Sequence, residues 1–136
     1  MGNGKFYVRI VGIIFSPKER KILIGKNKGD KNYSFVDGEL KYEEELNSGL
    51  KRVTKEKTGY DISNLGSIFA GLRKKDELAI YFLCEIKNGK EIRGAKVEKI
   101  RWVKAKEIEK LINEKLPGKL KEYLNSIAGW LQENCS

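Results

Sequence analysis

Apolar and polar positions along the chain change their period repeatedly, and each change marks an element. The run FYVRIVGIIF, Phe6 to Phe15, is rich in β-branched and aromatic residues and stops at SPKER, where Pro17 cannot continue a hydrogen-bonded ladder. KILIG then resumes as a second strand, so the two predict a hairpin. The polar, glycine-bearing segment KNKGDKNYS reads as a loop. Between Glu43 and Thr58 the period becomes helical: Leu46, Leu50 and Val53 fall on one stripe that can face a core. Gly59 ends this helix, as a residue that tolerates positive φ should. Three more strands are predicted, GSIFAGLR, ELAIYFLCEI and KIRWV, with KNGK (Lys87 to Lys90) as the turn after the second. The apolar content of LAIYFLC marks a central strand. From Ala105 the period is helical again through Ile108, Leu111 and Ile112, until LPG breaks it. A last helix carries Leu120, Leu124, Ile127 and Leu131, a stripe that reads as core packing, with Trp130 as a candidate exposed contact. The pattern is α/β, with strands before and after a central helix and no repeat or linker, and 136 residues suit one domain spanning 1–136.

Composition changes this picture in two ways. Charged residues make up 35% of the chain and the net charge is +9, so the surface should attract polyanions such as nucleotides, RNA or acidic headgroups. A lysine- and glutamate-rich chain with Gln132 as its single glutamine and no histidine also resembles a hyperthermophile protein, where ion-pair networks replace thermolabile residues. The absence of histidine removes the usual neutral-pH acid/base and the commonest zinc ligand. Chemistry must therefore rest on carboxylates, Lys, Tyr or Cys. Cys84 lies inside an apolar run and Cys135 is penultimate, so neither has metal-ligand spacing and no disulfide framework is expected. MGNGKFYVRI lacks the apolar core of a signal peptide, Phe6 stands where myristoylation needs Ser or Thr, and no run approaches membrane-spanning length. A cytoplasmic protein without a membrane partner is expected.

One stretch concentrates candidate chemistry. A glycine-containing loop that leads into a helix presenting several carboxylates on one side can hold divalent cations against a pyrophosphate, because Mg²⁺ and Mn²⁺ take oxygen ligands and bridge phosphate oxygens. In FVDGELKYEEELNSGLKRVTKEKTGY, the residues Gly38, Glu44, Arg52, Glu56 and Gly59 fall without a gap on the pattern G-x5-E-x7-R-E-U-x-E-E-x-G-U, where U is a bulky aliphatic. This resembles the signature of the Nudix hydrolases. YSFVDG also looks like that family's aromatic and Pro-Gly-Gly approach to the helix, and RWVKAKEIEKL like its late strand and following helix, so the resemblance runs from about Phe6 to Ile127. It implies a Nudix-like fold, a mixed β-sheet sandwiched between helices. It also implies Mg or Mn as cofactor if the protein is active, with Glu56, Glu44 and Arg52 in catalytic positions, Glu56 and Glu98 as metal-site acids, and Arg52 orienting the metal-site carboxylates.

The chain departs from the pattern at the metal site. Val53 replaces the first glutamate of the R-E-U-x-E-E segment, Lys57 replaces the last, and Val36-Asp37-Gly38 stands for Pro-Gly-Gly. The departures favour a protein that binds a nucleotide or nucleoside-diphosphate-linked ligand with hydrolysis lost or strongly impaired, Lys57 and Arg73 contacting phosphate as cations. A second reading is an active Mg- or Mn-dependent pyrophosphohydrolase in which a displaced acid, Asp37 or Glu98, compensates. A third is an RNA-binding or protein-interaction module on the same scaffold. Each residue also has a purely structural alternative: Arg52 and Glu56 as an i,i+4 ion pair, Glu44 at the positive end of the helix dipole, Glu98 as a solvated acid. Basic residues of GLRKKDE and GKNKGDK bracket the expected cleft, with Tyr33 and Phe35 nearby as stacking surfaces.

Overall fold

Strand β1 (Tyr7–Ser16) and strand β2 (Lys21–Asn27) form the expected hairpin, with Phe15 opposite Ile22 and the turn closed by the Arg20 amide on the Ser16 carbonyl. The computed structural model describes residues 6–112 and 116–134, with side chains described through Ile127. The expectations for Trp130, Leu131 and Cys135 lie outside those side chains. Strand β3 (Ser34–Glu39) lies in what the sequence predicts as the approach to a helix. SFVDGE is poor in strand formers at its end, yet β1 and β2 offer it ladder partners: Asp37 pairs with Val11 and Phe35 with Ile24.

Helix α1 (Leu46–Thr58) follows and stops at Gly59, whose φ of +81° is the left-handed conformation that glycine adopts without strain. Its last carbonyls are satisfied from three directions. The Gly59 amide reaches Lys55 at 3.0 Å, the Ile92 amide reaches Thr58 at 2.9 Å and the Gly94 amide reaches Lys57 at 3.1 Å. Residues 90–96 thus form a strap across the helix end.

Strand β4 (Tyr60–Lys74) begins directly after the stop, earlier than GSIFAGLR suggests, and β5 (Glu77–Gly89) extends through most of the predicted KNGK turn. With β6 (Val97–Val103) they complete a six-stranded sheet of order β4-β5-β1-β3-β2-β6, in which β1 and β5 run parallel and all other pairs antiparallel. β5 is an interior strand, as its apolar run implies. After a short 3₁₀ turn at Ala105–Glu107, the predicted helix at Ala105 reduces to the single turn α2 (Ile108–Leu111), and α3 (Gly118–Asn134) is the long last helix.

Alternation along β1 divides the core. Ile10 and Ile14 join Leu23, Val36, Phe82 and Cys84 beneath Leu50 and Val53 of α1. Val11, Ile13 and Phe15 face the other way, onto Ile108, Ile112, Leu120, Leu124 and Ile127. Burying each such side chain contributes about 1.5–3 kcal/mol, which fixes both the register of β1 and the seating of the helices. The result is a mixed sheet between helices, and no described helix is long and apolar enough to cross a membrane.

Candidate functional site

Arg52 organises the start of α1. Its Nε lies 2.7 Å from Glu44 Oε2 and its Nη2 2.9 Å from Glu44 Oε1, a bidentate pair, while Nη2 also donates to the Glu39 carbonyl at 3.0 Å. The Lys41 amide adds a 3.0 Å bond to Glu44 Oε1. These donors, Arg52 first, hold the Glu44 carboxyl down at about 2. The same pairing raises Arg52 above its ordinary value. Glu56 meets Arg52 more loosely, at 3.4 Å, and keeps 59% of its side chain exposed. Arg52 therefore ties the turn at 39–44 to the helix, with Glu44 as principal partner and Glu56 as a secondary one.

One turn further along, the site changes character. Asp37 is buried, and three cations converge on it: Arg9 Nε at 3.1 Å, Lys57 Nζ at 3.4 Å and Arg73 Nη1 at 3.4 Å. Arg9 comes from near the start of β1, Lys57 from the end of α1 and Arg73 from the edge strand β4. Arg73 also lies 3.8 Å from Glu77, whose Oε1 is buried without a hydrogen bond to any described residue. Beside the cluster opens a groove of about 720 Å³ lined by Lys31, Tyr33, Phe69, Arg73, Lys74 and Tyr81, among others. Tilted and edge-on ring pairs fix its floor, with Phe69 and Phe35 6.0 and 6.5 Å from Tyr81.

The remaining anticipated residues divide. Tyr33 and Arg73 are brought to the groove, whereas Phe35 is buried beneath it. Glu98 sits on β6 and pairs with Lys26 at 3.0 Å, which lowers its carboxyl below the ordinary range. Arg9, Phe69 and Tyr81 escape sequence reasoning. Arg9 did leave a signal, a lone charge inside the apolar run FYVRIVGIIF.

The divalent cation that the resemblance implies does not fit these residues. Val53, at the first missing glutamate, is buried in the apolar layer, and a Cβ on Gly38 would fall 2.6 Å from Val53 Cγ2. Lys57 Nζ, at the second, already lies against Asp37. Two unit positive charges about 4 Å apart repel by roughly 4 kcal/mol at an effective dielectric of 20, and a divalent ion doubles that. Among the described residues no group of three or more His, Cys, Asp or Glu is placed to hold a metal.

A family model described as NUDIX domain matches residues 6–124. No protein of curated function matches the chain. Solved structures do, at low identity. A NUDIX hydrolase from Nitrosomonas europaea superposes with a TM-score of 0.72 at 17% identity, covering 90% of this chain and 72% of the other. An ADP-ribose pyrophosphatase from Streptococcus suis gives 0.65 at 16% identity, over 96% and 92% of the two chains. A MutT protein from Methanosarcina mazei gives 0.69 at 12%, over 93% and 96%.

Proposed function

Because the chain belongs to the NUDIX domain family, we propose that it binds a nucleotide or nucleoside-diphosphate-linked ligand, with phosphates at the cationic end of α1 and the base against the aromatic groove, and that hydrolysis is lost or strongly impaired. Nudix enzymes generally use divalent metal ions, and the solved structures similar to this chain include an ADP-ribose pyrophosphatase and a UDP-X diphosphatase. The observation that carries the proposal is Lys57, which stands where the family pattern has an acid and is ion-paired to Asp37. An ammonium there binds phosphate oxygens but supplies no ligand to a metal and no base to a water. The groove adds the second half of such a ligand's requirements, since Tyr33, Phe69 and Tyr81 offer faces or edges to a base while Arg73 joins groove and cluster.

One observation favours residual hydrolysis as the second reading: Arg52 still holds the exposed Glu56, so one carboxylate of the family pattern keeps its orienting partner. The test is product release from nucleoside triphosphates, dinucleoside polyphosphates, ADP-sugars and capped RNA, with Mg²⁺ or Mn²⁺, beside Glu56→Gln. The proposal expects no turnover above that variant, together with a rise in melting temperature in the presence of one nucleotide class. Turnover that vanishes in Glu56→Gln establishes the hydrolase instead. RNA binding through many phosphates would weaken steeply with salt, which separates the third reading from a small-ligand site.

A further inference from the structure

The disagreement between the family's metal chemistry and these side chains has a specific form. Asp37 carries its carboxylate at 7% side-chain exposure, while Arg9, Lys57 and Arg73 around it retain 27%, 22% and 28%. The anion is withdrawn from solvent and the cations are not. One carboxylate accepts at most about four hydrogen bonds, fewer than the Lys57 ammonium and the Arg9 guanidinium together can donate, so donor capacity remains toward the open side. Arg9 is paired with Asp37 through Nε, which leaves its terminal nitrogens for another acceptor. Glu77 offsets part of the Arg73 charge at 3.8 Å, and Arg9 and Lys57 together exceed Asp37 by one positive charge.

We propose that Arg9, Lys57 and Arg73, gathered on the buried carboxylate of Asp37, form a metal-independent anion site that takes a phosphate or pyrophosphate group directly. The tethered cations fill the electrostatic role that a divalent ion has elsewhere in the family, and Asp37 is their anchor. This deepens the nucleotide-binding reading and rests on it for the identity of the rest of the ligand. Three elements, β1, α1 and β4, each contribute one cation, so the site depends on the fold and not on a local charge run. Its sign of response to metal is opposite to that of a metal-dependent site: Mg²⁺ complexes free pyrophosphate, reduces its charge and competes with the protein for it.

The test is calorimetric titration of inorganic pyrophosphate into the full chain at low ionic strength, once with EDTA and once with Mg²⁺. Binding in EDTA that is equal to or tighter than with Mg²⁺ is expected, and Arg9→Gln and Lys57→Gln should each weaken it roughly tenfold. Lys57→Arg should recover most of the loss, and Lys110→Gln, an exposed control on α2, should change nothing. Melting curves of each variant separate lost binding from lost folding. Binding that requires Mg²⁺ overturns the inference. So does a Mn²⁺ ion, seen by its paramagnetic resonance in ligand-free protein, that Asp37→Asn or Glu56→Gln removes. Nucleotides that raise the melting temperature while pyrophosphate fails to bind overturn the cation site but leave the nucleotide reading standing. Metal-free pyrophosphate binding with no response to any nucleotide does the reverse.

Discussion

Val53 shows at the residue scale how a signature position changes its use. With 3% of its surface exposed it packs in the layer between α1 and the sheet, and its methyl groups occupy the space over Gly38. Gly38 is thus required here by the close approach of a β-branched side chain. Gly38→Ala should cost about 2 kcal/mol in a denaturant titration, and much less in a Val53→Ala background. Val53→Glu should cost about 3 kcal/mol or more, because it buries a carboxylate among apolar side chains. Restoring the pattern with Val53→Glu and Lys57→Glu together would also set a second acid against Asp37, so the pair should melt well below the parent and regain part of the loss when Asp37→Gly is added. Glu44 responds to pH. Its folded value of about 2 lies below the ordinary 4.5, so the unfolded chain takes up this proton more readily. The stability it contributes is complete above about pH 4.5 and is lost as the pH falls toward 2; melting temperatures across that interval should fall less steeply in Arg52→Gln, which removes the principal cause of the shift. The Gly59 helix stop and the Arg52–Glu56 pair were legible because their spacing is local. The convergence of Arg9 and Arg73 on Asp37 was not, since those pairs span 28 and 36 residues and exist only through strand pairing.

At the scale of elements, the strongly periodic segments were readable and the compensated ones were not. β1, β2 and α1 follow from alternation and from the stripe of Leu50 and Val53, although Leu46 at the start of that stripe is exposed. β3 is a strand by the offer of its neighbours, against its own aspartate and glycine. The opening of β4, YDISNL, has polar residues that hide its period, and the ladder to β5 there is interrupted by shifts in register. The strap at 90–96 had no periodic signal because its role is to satisfy the end of α1. A side chain on Gly94 would collide with the Glu56 carbonyl and come within 3.1 Å of Lys57 Cα. Gly94→Ala should therefore lift the strap, and amide exchange at Ile92 and Gly94 should accelerate while exchange within β1 stays unchanged.

For the whole molecule, the sheet separates two apolar layers, and the site lies where α1 and β4 bring charge to the rim of both. Cys84 reports on the intactness of the layer between α1 and the sheet. It is fully buried, and burial pushes its thiol up to about 12. In a Cys135→Ser background, a thiol reagent should label Cys84 no faster than the protein unfolds globally, and labelling in native buffer within the mixing time would contradict the packing. The strap has an optical consequence as well. Glu91, within it, accepts hydrogen bonds from Tyr60 Oη at 3.1 Å and Trp102 Nε1 at 3.2 Å, and the two rings meet edge-on at 5.8 Å. Indole emission depends on what its N–H donates to and on a neighbouring phenol, so Trp102 is a built-in reporter of whether the segment crossing the Lys57 end of α1 is seated, readable without any attached label once Trp130 is replaced by Phe.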